Sequence, residues 1–539
     1  MHKNVIPIFY KFASAVLLFG TVAGVLRAQS TVHSAVSANL NNLVLNVNNF
    51  GADPTGVRDS APAVRAAVTS AGAGPATLYF PRGTYRLASP GPGGAEECVR
   101  INNSISLMGD GSGLTIFTDD AVPACMAQFG FFYTNSVAVH DSDYSFESDF
   151  GFPVTPSSAG IASSSLTLAN HSTASYYAAG QYVYVRGTNL PQPGEFHGEL
   201  NRITGSGDPN TGIVKLLWPL SSDFSQDNGL QLNLVASTEV LTNIQISGIT
   251  FNFHRNALLA AQVLGMQIFN NTFNYLGMAA GNEVSQFNQD RNVEFHDNIV
   301  NNPMGPALDL ERNPTNWNVY GNTFAGFVEA GEAGANINFN NNNITCVNLV
   351  VCLRFGGTTG NIADKNDINS SCPYDYCHAV TDVSGSVTSP ATIISNNVIT
   401  ANGPRAVSVQ TAGTKVTGNT IYTQSTGIDI AAGGVYALNN TVTITGPSVY
   451  GCILVEGNVH NDLLQGTTCN GYDPSNDRAV WVTDNGPQGN TPLIIDGLTG
   501  SNLNIGIFLT NPSNDVPILN APSFSNTGTA IIGTARSNH

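Results

Sequence analysis

The 539-residue sequence predicts an all-β fold, a right-handed parallel β-helix with an N-terminal helical cap and a small β insertion. Three observations carry that expectation: a phrase that recurs about every two dozen residues, a segment suited to closing the end of a solenoid, and a scarcity of helix-forming runs.

The repeat comes first. From residue 240 onward a strand-like run is followed by Gly or Asn, then Asn, any residue and a large apolar residue. The apolar anchors read Phe251, Phe273, Ile299, Phe324, Ile344, Ile368, Ile399, Ile421, Val442 and Leu463. Successive intervals are 22, 26, 25, 20, 24, 31, 22, 21 and 21, and seven of these nine lie between 20 and 25, too regular for chance loops. Two positions before the anchor stands Asn271, Asn322, Asn342, Asn366, Asn397, Asn419, Asn440 or Asn461, with Ile249 and Asp297 as exceptions. Asparagine tolerates the left-handed backbone of a tight bend, and stacked amides can hydrogen-bond from coil to coil. Leucine-rich repeats have a similar period but need a dense Leu pattern, which this chain lacks. Helical repeats need apolar spacing of three and four. The runs here alternate and are β-branched, as in Thr414 to Ile421 and Thr426 to Ile430.

An open solenoid end exposes its apolar stack and its strand edge, so it requires a cap. Residues 44–87 have the pattern of one. Val44 to Val47 reads as a strand, and Asp59 is placed to cap a short helix with Pro62 in its first turn. Val64, Ala67, Val68 and Ala71 share one helical face. Leu78 to Tyr85 then returns as a strand with a sharp turn.

The phrases Phe50-Gly51-Ala52-Asp53 and Phe80-Pro81-x-Gly83-x-Tyr85, with the helix between them, resemble the N-terminal signature of the pectate-lyase-like β-helix superfamily. Its relatives include polygalacturonase-type glycoside hydrolases, polysaccharide lyases and phage tailspikes. The resemblance implies the β-helix and a polysaccharide substrate, while one fold of this kind hosts several chemistries. The Gly-His-Gly and Arg-Ile-Lys phrases of a polygalacturonase are absent, which argues against pectin hydrolysis.

Composition narrows the setting. Lys3 and Lys11, the apolar stretch Phe12 to Leu26 and the small residue Ala28 predict a signal peptide over residues 1–28. Its removal takes Lys3, Lys11 and Arg27 and no acid, so the net charge moves from −17 to −20. Such an acidic chain disfavours nucleic acid and anionic membranes as partners. The expected product is a secreted protein, extracellular or periplasmic, without a membrane anchor. No sequence feature sets its oligomeric state. Eight cysteines in an oxidising compartment point to disulfides. Proximity suggests 98–125, 346–352, 372–377 and 452–469. The remaining plan is a cap with the first coils over 29–143, a β-rich insertion over 144–235 and the main solenoid over 236–539. Tyr182 to Val185 and Ile213 to Leu217 are the insertion's expected strands, with a turn at Gly205 to Asn210. Gly109 to Gly113 reads as a solenoid turn, and Asp119-Asp120 as another.

Residues at matching offsets of successive coils stack into lanes. Ten residues beyond the anchors stand Glu283, Asp309, Gly334, Arg354 and His378, with Glu332 two residues from the lane. In Ala307-Leu308-Asp309-Leu310-Glu311, inward leucines would put Asp309 and Glu311 on the outer face. Paired carboxylates suit glycoside hydrolysis, one protonating the leaving oxygen and one activating water or attacking directly. The candidate catalytic residues are therefore Asp309, Glu311, Glu332 and Glu283. Arg312, Arg354, Trp317 and His378 are the candidate substrate contacts. A glycoside hydrolase needs no cofactor or metal. Two alternatives stand beside it: a polysaccharide lyase using Ca²⁺ and a basic residue such as Arg312, Arg354 or Lys365, and a noncatalytic glycan-binding or surface protein.

Overall fold

The computed structural model describes residues 43–537 except 91–97, 102, 121–150, 188–196, 236, 238–239, 255–256, 277–284, 289, 332–333, 358, 375, 384–390, 404, 449, 457–460, 484–492, 511–516, 519 and 533–535. The expected signal peptide and Cys125, the expected partner of Cys98, lie outside the described residues. So do Glu283 and Glu332.

The chain winds into a right-handed parallel β-solenoid of about 15 turns. Each full coil contributes three strands. The coil around residue 340, for example, runs Ala335–Asn340 in the first sheet, Asn343–Val347 in the second and Val351–Phe355 in the third. Strands of each sheet pair in parallel with the coils on either side, as Phe339 does with Val319 and Ala363. The anchor residues stack inside the second sheet, Phe251 on Phe273, then Val300, Phe324, Ile344, Ile368, Ile399, Ile421 and Val442. All are fully buried. The rings of Phe251 and Phe273 lie parallel with centroids 4.7 Å apart.

The corner between the first and second sheets holds the solenoid together. Asn271, Asn298, Asn322, Asn342, Asn366, Asn397, Asn419 and Asn440 form a buried ladder. Each of the first seven donates Nδ2 to the Oδ1 of the next, at 3.0–3.2 Å. The same amide also donates to a backbone carbonyl behind it, as Asn342 does to Val319 at 2.8 Å. Its Oδ1 additionally accepts the main-chain N–H of the ladder residue one coil earlier, as Asn342 does from Asn322 at 3.1 Å. Every polar atom of a buried corner is thereby occupied, which a buried bend requires.

Two sequence expectations change here. The left-handed backbone belongs to the residue before each ladder asparagine: Asn270, Asp297, Gly321, Asn341, Lys365, Asn396, Gly418 and Asn439 all have φ between 52° and 67°. The Gly-or-Asn, Asn phrase therefore divides two tasks between two residues, bending and bonding. The register also shifts by one in one coil. Val300, not the exposed Ile299, stacks on Phe273, so Asn298 supplies the rung that Asp297 had left empty. Leu463 lies in the first sheet opposite Tyr436, whereas Cys469 follows Val442. Asn461 accordingly stands outside the ladder.

At the N-terminal end the cap helix spans Ala61–Ala71 with Pro62 in its first turn, and it buries Ala61, Ala63, Val64 and Ala67. Ser60, not Asp59, occupies the capping position. Asp59 precedes it and accepts N–H groups from Ala61, Ala88 and Ser89 at 2.9–3.1 Å, which ties the helix start to the next strand. Gly109 to Gly113 makes the expected turn between Ile105–Gly109 and Thr115–Thr118.

The insertion has its own apolar core and two antiparallel sheets. Tyr182–Gly187 pairs with His197–Arg202 and Gln231–Val235, and Gly151–Pro153 completes that sheet. Ser165–Thr167 pairs with Ile213–Lys215. The strand His197–Arg202 was not legible as one, because its Gly, Glu and Asn are poor strand formers. It is the strand that docks. Glu199 forms a fully buried ion pair with Arg291 of the first sheet, whose guanidinium also donates to the Leu200 carbonyl at 3.1 Å. Gly198 N–H donates to Asn313 Oδ1 at 2.9 Å.

Among the described residues three disulfides join Cys346–Cys352, Cys372–Cys377 and Cys452–Cys469, as proximity suggested. Each lies at the edge between the second and third sheets.

Two outcomes are expected. Replacing Asn342 by Ala leaves the Asn322 main-chain N–H without its acceptor and removes the amide donor to the Val319 carbonyl and to Asn366 Oδ1, and should cost about 3–5 kcal/mol, read as a lowered midpoint in thermal or chemical denaturation. Asp462 accepts the Val435 N–H at 2.7 Å with Oδ1, while its buried Oδ2 has no partner. Burial pushes its carboxyl up to about 7. The folded state thus holds this proton more tightly than the unfolded chain, so stability from this group is greatest below about pH 4 and falls as pH rises to about 7. Asp462→Asn should flatten that part of the stability–pH curve.

Candidate functional site

The third sheet carries the charged groups. In true register its outward lane runs Asp309, Glu329, Arg354, Thr381, Ser408, Asp429, Leu454, Trp481 and Phe508. Counting ten residues from the anchors misplaces three of the five coils, because the turn between second and third sheets varies in length; Gln286, not Glu283, stands in register with Asp309. Asp309 therefore faces Glu329 and not Gly334, and Arg354 faces Thr381 and not His378. Glu329 was missed by that count, although the alternation of Phe324, Val328 and Ala330 marks it as outward.

Leu308 and Leu310 are fully buried, so Asp309 and Glu311 share the outer face as expected. Asp309 is itself largely covered, at 5% exposure. On the next coil Glu329 holds Arg354 Nη1 at 2.6 Å through Oε1. The glutamate side chain is 17% exposed and the arginine 37%, so both reach solvent. Burial raises the Glu329 carboxyl above its ordinary range and the neighbouring Glu311 charge adds to this, while Arg354 opposes both.

Beyond Glu329 and Arg354, at the offset Glu311 occupies one coil earlier, stand Gly331 and Gly356. A Cβ on Gly331 would lie 3.2 Å from Glu329 Oε1, and one on Gly356 would lie 3.5 Å from Arg354 Nε. The two glycines place no side chain beside the ion pair. The insertion stands at this end of the lane, since its Gly198 is bound to Asn313, two residues beyond Glu311.

A second charged group lies three coils further on. Arg405 pairs with Asp429 and, at 3.3 Å, with Glu456, and Ser408 Oγ donates to Asp429 at 3.2 Å. Burial and the Glu456 charge push the Asp429 carboxyl up to about 6 against the pull of Arg405. The Asp429 side chain has no exposure, so this carboxylate is closed off from a ligand in a way that Glu329 is not. His378 pairs in register with Arg405, three positions before the lane. Burial, with the Arg405 charge, lowers its imidazole to about 4, which leaves it neutral at ordinary pH.

Two of the predicted contacts are corrected. Trp317 is fully buried in the first sheet, edge-on to Phe287 with centroids 4.9 Å apart, so it packs the core and does not meet a sugar. Arg312 sits at the corner after the strand with φ 51° and 7% exposure, buried rather than displayed along the lane. The pair Asp119 and Asp120 is more than a turn: Asp119 binds the His254 ring at 2.7 Å and Asp120 holds Arg86 at 2.6 Å. Among the described residues no three His, Cys, Asp or Glu side chains converge in a metal-holding arrangement.

Comparison with known proteins agrees with the fold. A 56-residue stretch is 50% identical to an alpha-1,3-galactosidase A of Peterkaempfera griseoplana, covering 10% of this chain and 8% of that protein. A 74-residue stretch is 39% identical to a mannuronan C5-epimerase of Azotobacter vinelandii, covering 14% of this chain and 5% of that one. The chain thus matches less than a tenth of the length of either relative. The crystal structure of the tailspike of Pseudomonas phage phi297 superposes with a TM-score of 0.52 at 14% identity, over 91% of this chain and 81% of that one. Residues 44–154 match the family described as rhamnogalacturonase A/epimerase, pectate lyase-like. The chain is therefore a parallel β-helix that opens with a pectate-lyase-like N-terminal signature.

Proposed function

We propose that the protein is an exported glycoside hydrolase that cuts a polysaccharide lying along the third sheet. Glu329 is the proton donor, and Asp309 or Glu311 is the carboxylate that activates water or attacks the sugar. The observation that carries this reading is Glu329 itself: a carboxyl raised above its ordinary range by burial and by the Glu311 charge, still partly exposed, with glycines beside it and Asp309 opposite it in register. A raised carboxyl beside a second acid is the pairing that lets one group give a proton while the other stays charged. Arg354 fixes the Glu329 side chain in place, a positioning role that suits it poorly for removing a proton as a lyase base would.

The short match to a galactosidase supports hydrolysis, and the family that matches residues 44–154 acts on polysaccharides by its description. The three disulfides and the leader-like N-terminus support export. Among the described residues no helix is long and apolar enough to cross a membrane.

Glu329→Gln should lower kcat about 10²- to 10⁴-fold on the glycan that the parent cuts, with melting unchanged, in an assay of new reducing ends. Full activity in that variant would remove Glu329 from the mechanism. An ultraviolet-absorbing unsaturated product, or altered sugar composition without chain cleavage, would replace hydrolysis by a lyase or epimerase reaction. The pH profile has a predicted sign. Activity needs protonated Glu329, so it declines at the alkaline end as that proton is lost. Where Asp309 is the second carboxylate, Glu311→Gln removes a charge that holds the proton, so the alkaline limb should move to lower pH; where Glu311 is, that variant loses activity. Arg354→Gln removes the charge that expels it, so the limb should move to higher pH.

A further inference from the structure

The Cys372–Cys377 disulfide closes a short loop, Cys372-Pro373-Tyr374-Asp375-Tyr376-Cys377, between the second and third sheets. Tyr374 and Tyr376 are 51% and 56% exposed. Their rings are parallel to within 4°, with centroids 5.4 Å apart. The two rings are thus stacked while about half of each residue stays exposed. Single exposed hydrophobic side chains are ordinary, whereas a contiguous exposed patch marks a binding surface. The preceding coil adds exposed Val347 and Val350 at the same edge, within the loop closed by Cys346–Cys352.

The loop leads straight into His378, at the head of the third-sheet strand that contains Thr381. Arg405, the register partner of His378, reaches the outward lane by its ion pair with Asp429. The ring pair therefore flanks the same face that carries Glu329. Two coil steps separate the Glu329 strand from the His378 strand, roughly 10 Å at the usual strand spacing.

We propose that Tyr374 and Tyr376 form a sugar-stacking subsite for an uncharged glycan chain that runs along the third sheet from Glu329. The inference rests on the hydrolase reading for the direction in which the chain runs. A pyranose presents a C–H face that packs on an aromatic ring, and a ring with two rotatable bonds on a clamped loop loses little freedom when it binds. Charge selects the class of glycan. Along this face, with Glu329 protonated, Asp309, Glu311, Asp429 and Glu456 still outnumber Arg354 and Arg405, and His378 is neutral. A polyuronate would meet net repulsion there, whereas a neutral glucan or galactan would not.

The test uses the full protein carrying Glu329→Gln to stop turnover, run by affinity electrophoresis through gels containing neutral glucans, galactan, polygalacturonate or alginate. Retardation by a neutral glycan is expected, weakened about tenfold when both tyrosines become Ala and restored when both become Phe. The proposal is overturned if the alanine variant is retarded like its parent, if phenylalanine fails to restore binding, if only the uronans retard the protein, or if no glycan does. Cleavage is measured separately with Glu329 intact. Tyrosine-dependent binding alongside undiminished cleavage in the Glu329→Gln protein would sink the reaction and leave the subsite standing. Glu329-dependent cleavage with tyrosine-independent binding would do the reverse.

Discussion

A side-chain amide that bonds to its own copy one coil away is the interaction on which this molecule depends. A parallel solenoid turns its chain sharply inside its own core at every coil, and every such bend buries main-chain groups that water can no longer reach. The asparagine ladder answers this eight times in the same way, with both the donor and the acceptor capacity of the amide in use. Its second effect is registration. A rung satisfied above and below leaves no freedom for one coil to slip against the next, so the apolar stack and the outward lanes are set together.

That coupling explains what could be read from the sequence. The ladder and the stack obey a common spacing, so the fold, the corner asparagines and nearly all of the anchors were legible. The one-residue slip at Ile299 arose because both Ile299 and Val300 are apolar and both Asp297 and Asn298 are polar; only the pairing distinguishes them. The site was legible in part. Asp309 and Glu311 followed from simple alternation with buried leucines. Glu329 did not, because the turn between second and third sheets changes length from coil to coil while the ladder corner does not. Trp317 misled for a related reason: a tryptophan beside charged residues in sequence belongs, after the corner at Arg312 and Asn313, to another sheet and to the core.

The same regularity makes the functional face one of exceptions. Polar and charged side chains stand where the lane is elsewhere Leu454, and glycines stand where a side chain would have crowded Glu329 and Arg354. The insertion, pinned by the buried Arg291–Glu199 pair, adds a rigid neighbour at that end of the lane. Breaking one member of such a pair leaves a buried charge without its partner, so the contact gives the insertion a defined seat more than it adds net stability.

The disulfides divide the molecule chemically. All three lie along one rim and close only short spans, 6, 5 and 17 residues apart in sequence. Short loops restrict the unfolded chain modestly, while the ladder holds eight coils without a sulfur bond and the stack meets one only at Cys469. Redox state is therefore a control on one border of the binding face and hardly on the architecture. In a reducing medium the solenoid would persist with a loosened rim, a protein still folded but less able to present its tyrosines in a single pose.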